Sequence, residues 1–181
     1  MARFRKLTFA LAMLGSAACS DVQQPMAADE GAGLAFAVAS RSIQMLDNCD
    51  PETFNQVAPD LCVGRNGGLT FEKFIAELQK HQTVASWRFS PENIHVPREM
   101  TLPIVNRGGE VHTFTEVEEF GGGIVPELNL LMGLSTVAPE CQALGAADFV
   151  APGGHTTHTF EPGESDKYMC CIHPWMRATT R

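Results

Sequence analysis

Tyr168-Met169-Cys170-Cys171-Ile172-His173-Pro174-Trp175-Met176 is the stretch that decides how this chain is read. Within it, Cys170, His173 and Met176 offer a thiolate, an imidazole and a thioether. A soft sulfur, an imidazole nitrogen and a weak axial thioether are the donors of a mononuclear copper electron-transfer site, once a second imidazole joins them. The candidate for that second imidazole is His112, in Asn106-Arg107-Gly108-Gly109-Glu110-Val111-His112-Thr113-Phe114.

The spacing has a physical basis. If the run ending at Cys170 is a strand, its side chains alternate between two faces, and only one of the adjacent cysteines can meet the metal. Tyr168 and Cys170 then share one face, Met169 and Cys171 the other. After Cys170 the chain must turn to return His173 and Met176 to the same ion, and Pro174 stiffens that turn by fixing its own φ.

The segment Tyr168-x-Cys170-x-x-His173-Pro174-x-Met176-Arg177 resembles the C-terminal ligand loop of the small blue copper proteins, the cupredoxins. It is most like the short-loop and plastocyanin-like members, amicyanin and pseudoazurin among them. Phe89-Ser90-Pro91, Ile94 and Val96-Pro97, followed by Val105-Asn106 and His112, resemble the family's first ligand strand. Pro152-Gly153-Gly154 through Thr159-Phe160 to Pro162-Gly163 resembles its turn and last hairpin. The likeness covers about Ala85 to Arg177.

It implies a mainly β, Greek-key sandwich or barrel holding one type 1 copper ion on His112, Cys170, His173 and an axial Met176. It also implies an electron carrier, not an enzyme; a periplasmic copper-binding or copper-delivery lipoprotein and an accessory subunit of a redox enzyme are the alternatives. His173, bracketed by Pro174 and Trp175, is then the expected electron-transfer surface. The family often has Asn directly after the first histidine. Thr113 stands there in this chain, and its hydroxyl would replace part of that brace.

Outward from this motif, composition sets the frame. The 181 residues are 44% hydrophobic and 19% charged, enough apolar material for one ordinary domain with appendages. Arg3, Arg5 and Lys6 precede the short apolar run Leu7 to Leu14 and the small residues up to Cys19. That order is an export signal over 1–19, too short to span a bilayer stably. Cys19 after Ser16-Ala17-Ala18 resembles a bacterial lipoprotein box, so lipidation and membrane attachment at Cys19 stand beside ordinary cleavage near Ala18 or Ala28. The expected location is the periplasm. Three of the 13 basic residues and none of the 21 acidic ones precede Cys19, which leaves the exported chain ten against 21, a net −11. That balance argues against nucleic acid as a partner and fits brief docking on a redox partner with a basic face.

Residues 20–30 read as a tether and 31–83 as a helical appendage, with the copper domain expected over 84–181. Leu34, Phe36, Val38, Ile43 and Leu46 suggest one helix from Gly33 to Asn48. Asp50-Pro51-Glu52 is a helix start. Thr70 can cap a helix whose Phe71, Phe74, Ile75 and Leu78 form one face, and His81 fits near its C-terminal end. Cys49 and Cys62 bracket the intervening loop, and in an exported chain a disulfide is the default for such a pair.

From Ala85 the pattern becomes β, with Trp87 to Phe89, Ile94 to Val96, Leu102 to Asn106 and Val111 to Phe114 as strands. Glu110, Glu116, Glu118 and Glu119 read as a solvated acidic rim. Gly121 to Ala151 is an insertion, with a short helix over Leu128 to Leu134 and a capacity to shield the metal. Cys141 lies in it and pairs with Cys171, whose side chain faces away from the metal. A vicinal Cys170–Cys171 bridge would need a strained ring and would remove the thiolate. His155 and His158, three apart on a strand, point to opposite faces and do not share an ion. The last ladder, after Met176, is expected to be short.

Overall fold

A computed structural model describes residues 41–64, 66–163 and 165–181. The export signal, Cys19, the tether and the first part of the helix read from Gly33 lie outside the described residues. Two four-stranded sheets carry the fold, as the mainly β reading requires. In the first, β1 (Ile43–Leu46) lies between β2 (Arg88–Ser90) and β4 (Met100–Asn106), and β6 (His155–Phe160) flanks β4. In the second, the order is β3 (Asn93–Ile94), β8 (Arg177–Thr180), β7 (Lys167–Met169) and β5 (Thr115–Val117). Both are mixed: β1 runs parallel to β4, and β3 parallel to β8, while the other neighbours are antiparallel.

The stretch read as the end of a helix, Ile43–Leu46, is therefore a strand. Ile43 and Met45 are fully buried and alternate with less buried neighbours. That is the period of two proper to a sheet, and the pairing of β1 with strands on both sides overrides a loose helical pattern. The sandwich thus draws a central strand from sequence before residue 84, and the boundary expected there does not separate β1 from the sheet.

Among the described residues before Val84, two helices pack onto the same core. Helix α1 is a single turn, Pro51–Phe54, with Asp50 at its N-cap. The Asp50 carboxylate accepts from the Thr53 hydroxyl at 3.0 Å and from the Gly67 N–H at 3.2 Å. Helix α2 runs Phe71–His81, and the Thr70 hydroxyl accepts from the Lys73 N–H. It ends at Gln82, a left-handed residue whose N–H closes on the Leu78 carbonyl. Phe74 and Leu78 of α2 enter the main core, where Phe54, Trp87, Phe89, Phe160 and Tyr168 are nearly inaccessible to solvent.

Helix α3, Pro126–Met132, stands where the insertion was expected to form a short helix. Short 3₁₀ turns at Pro139–Gln142 and Ala146–Asp148 complete that loop. A smaller cluster of Val117, Ala138, Cys141, Met169 and Cys171 fixes it to the second sheet. Among the described residues no helix is long and apolar enough to cross a membrane.

Candidate metal centre

Strand β7 sets the first donor. Tyr168 and Met169 end the strand, and the next residue, Cys170, is wholly buried with a free thiol. The chain then closes a tight loop: the Met176 N–H donates to the His173 carbonyl at 2.8 Å, and the Cys170 N–H donates to the Met176 carbonyl at 3.0 Å. This returns His173, 2% exposed, to the side of Cys170. Met176 is fully buried in the same loop.

The second imidazole comes from the segment after β4. His112 is not inside a regular strand. It makes an isolated two-way bridge with Val150, giving and accepting backbone hydrogen bonds of 3.1 and 2.8 Å. Buried Asn106 shapes the turn that precedes it. Its amide donates to the Glu110 and Val150 carbonyls at 2.7 and 2.8 Å, and its oxygen accepts from the Gly108 N–H.

These elements bring His112, Cys170 and His173 together as one buried group with donor atoms within 4.8 Å of each other. The Cys170 Sγ lies 3.8 Å from His112 Nδ1 and 3.7 Å from His173 Nδ1, and the two nitrogens are 3.3 Å apart. A point equidistant from the three lies about 2.1 Å from each, the length of a metal–imidazole bond and about 0.2 Å inside a zinc–thiolate one. The donor set therefore fits a soft, imidazole-accepting metal, and copper suits two nitrogens and a thiolate in a trigonal arrangement.

Thr113 braces the sulfur side. Its N–H donates to Cys170 Sγ at 3.4 Å, while its hydroxyl accepts from the Cys171 N–H at 2.8 Å. The adjacent cysteines diverge as strand alternation demands. Cys171 is bridged to Cys141, and Cys49 to Cys62, so both expected disulfides form. The first ties the insertion to the ligand loop on the side facing away from Cys170.

Two carboxylates lie behind the histidines. The Asp47 carboxylate, at the end of β1, accepts from His112 Nε2 at 2.8 Å, with neither side chain exposed. It also accepts from the N–H groups of Gly109, Glu110 and Cys49, at 2.8, 3.0 and 3.2 Å. A side chain on Gly108 would collide with the Asp47 carboxylate, so the glycine lets the turn close on it. Glu110, read from sequence as part of a solvated rim, is only 5% exposed. It accepts from the Trp87 indole N–H and lies 3.5 Å from His173 Nε2. The residues of that rim on the exposed side are Glu116, Glu118 and Glu119. No sequence period marks Asp47, because the four-residue strand that delivers it is too short to show one. For Glu110, the signal available was its place directly after Gly108-Gly109, where the chain turns inward.

The electrostatics follow from these contacts. Burial alone would raise the Asp47 carboxyl, but the His112 hydrogen bond and the backbone N–H groups outweigh it and lower its pKa to about 2. Burial would depress His112, yet its bonds to Asp47 and Cys170 raise it to about 9 in the metal-free protein. Burial also opposes ionisation of Cys170, and the two neighbouring imidazoles overcome it, so the thiol sits well below its usual range. Burial pushes the Glu110 carboxyl up.

The expected electron-transfer surface is not a surface. His173, Pro174 and Trp175 are buried, with Trp175 8% exposed. Phe74 of α2 lies 5.7 Å from Trp175 between ring centroids, and Trp175 lies 5.4 Å from His173. Phe54 and Phe74 also pack on Trp87. Phe74, on the apolar stripe of α2, covers the edge expected to be open, because that stripe needs a partner and Trp175 provides it. His155 and His158 take no part in the centre. His158 instead lies 3.0 Å from the Tyr168 hydroxyl.

No family model matches the chain, and no curated protein matches it. Among solved structures, a purple cupredoxin from Nitrosopumilus maritimus is 19% identical, covering 54% of this chain and 84% of that one, with a TM-score of 0.38. A reduced Cu(I) form of an amicyanin mutant is 19% identical over 51% of this chain and 70% of its own, with a TM-score of 0.33. A mutant fern plastocyanin is 13% identical over 52% and 86%, with a TM-score of 0.35. Likeness at this level leaves the choice of metal to the donor atoms themselves.

Proposed function

We propose that this chain is an exported cupredoxin that holds one copper ion in a type 1 site and carries single electrons between partner proteins. One observation carries the reading: two imidazole nitrogens and a thiolate sulfur, all buried, surround a single point at about 2.1 Å. Bound there, copper supplies a Cu(II)/Cu(I) couple. The residues supply rigidity. His112 is held by Asp47 and the Val150 bridge, Cys170 by the Thr113 N–H, and His173 by the closed loop to Met176. Donors fixed in this way move little when the charge on the ion changes, which keeps electron exchange fast. Met176, buried in the ligand loop, is proposed as the long axial ligand.

Two disulfides support an oxidising compartment, which agrees with export by the segment at 1–19 to the periplasm, in released form or attached through a lipidated Cys19. The net negative charge and the exposed Glu116, Glu118 and Glu119 support a redox partner with a basic docking face.

Absorption and EPR spectra of the copper-loaded chain test this reading. An intense thiolate-to-Cu(II) charge-transfer band at one copper per chain, abolished in Cys170→Ser, is the expected result. Absence of the band in the unaltered protein overturns the site. Tight Cu(I) binding without a reversible couple overturns the carrier role and favours copper delivery. Met176→Leu should keep the band and shift the potential; an unchanged potential removes Met176 from the axial position.

A further inference from the structure

Each imidazole of the centre turns one nitrogen to Cys170 and the other to a buried carboxylate. On the His112 side the partner is Asp47, whose oxygens receive only donors: three backbone N–H groups and the ring Nε2. A carboxylate surrounded by donors alone is held as an anion. Once a metal replaces the Nδ1 proton of His112, this carboxylate holds the remaining proton on Nε2. On the His173 side, Glu110 lies 3.5 Å from Nε2 and receives the Trp87 indole N–H. Among the described residues no lysine or arginine pairs with either carboxyl group; their ionic partners are the two histidines.

An anion enclosed with the metal site and balanced by no basic side chain favours the ion of higher charge. We propose that Asp47 and, more weakly, Glu110 are positioning residues that act through His112 and His173 to stabilise Cu(II) over Cu(I), giving the centre a low reduction potential. The inference rests on the copper reading above. The Asp47 charge acts across one imidazole ring and a 2.8 Å hydrogen bond. Over that path, about 7 Å at an effective dielectric of about 20, a unit charge changes the ratio of Cu(II) to Cu(I) affinity by at least about tenfold. A tenfold change for one electron corresponds to about 59 mV.

The test is the midpoint potential of the copper-loaded protein and of its near-isosteric variants Asp47→Asn and Glu110→Gln. The expected result is a positive shift of about 59 mV or more for Asp47→Asn and a smaller positive shift for Glu110→Gln, with the charge-transfer band retained. Asp47→Glu, which restores the charge, should move the potential back toward the original value. Retained bands with unmoved potentials in both neutral variants overturn the proposal while leaving the copper site intact. Loss of the band from the unaltered protein overturns the copper reading instead. Should Asp47→Asn fail to fold, long-range 15N–1H spectra of the unaltered Cu(I) protein decide. Slowly exchanging protons on both Nε2 atoms support the arrangement, and a deprotonated or metal-bound Nε2 on His112 overturns it.

Discussion

Trp87 joins the helical layer to the metal centre, and Trp87→Phe measures that connection. The indole is 1% exposed, packs against Phe54 and Phe74, and gives its N–H to Glu110. Phenylalanine keeps an aromatic ring in the stack but removes the donor. Leaving a buried carboxyl acceptor without that bond costs about 1–3 kcal/mol. The lost five-membered ring leaves a small void, worth about 1 kcal/mol more. The sum is a loss of about 3 kcal/mol in the metal-free protein, read by urea unfolding with Trp175 as the remaining fluorophore. A double-mutant cycle separates the two parts. In a Glu110→Met background, where the acceptor is gone, Trp87→Phe should cost only the void, leaving a coupling of about 2 kcal/mol. Additive losses, or a single-variant loss under about 1 kcal/mol, would refute the account of Glu110 as a buried acceptor held by Trp87.

Replacing both Cys141 and Cys171 by Ala should destabilise the protein by about 3.5 kcal/mol, the entropy of a loop closed across 30 residues, measured by denaturant midpoint at constant m; a loss below about 1 kcal/mol would contradict it. Gly123→Ala places a methyl group against the Cys171 carbonyl, the acceptor of the Ile124 N–H at 2.7 Å, and should cost about 1–3 kcal/mol in a thermal melt; an unchanged Tm counts against the close approach. The pH profile of the metal-free protein follows from the Asp47–His112 pair. Asp47, lowered from 3.8 to about 2, contributes stability that is complete above about pH 4 and is lost as the pH falls toward 2. His112, raised from 6.5 to about 9, contributes stability that is complete below about pH 6.5 and is lost as the pH rises through 9. Stability should therefore peak between these limits, and Asp47→Asn should flatten both flanks in urea titrations at stepped pH.

The donor residues were legible because ligand chemistry restricts residue types. A Cys and a His in one short turn, with a His after a Gly-Gly corner, leave few other uses for that combination, and these are the three that the fold gathers. The disulfides were legible for a related reason, since Cys170 was claimed by the metal and alternation placed Cys171 on the opposite face. The carboxylates behind the histidines were hidden. Asp and Glu are common on surfaces, and only three-dimensional closure turns Asp47 and Glu110 inward. The exposed edge expected at His173 failed on the same ground: the apolar stripe of α2 was read correctly, but nothing in its sequence names Trp175 as the surface it covers. The strand Ile43–Leu46 was missed because its two inward residues are too few to separate a period of two from a loose period of 3.6.

That strand has a kinetic consequence. Slotted between β2 and β4 and parallel to the latter, it joins parts of the chain far apart in sequence, and such pairings form late and slowly. Because Asp47 follows directly from it, the second imidazole acquires its anchor only when this early segment has docked. A fragment starting at Ala85 would hold every proposed donor yet lack the middle of a sheet, so metal capture and completion of folding should be one event in time.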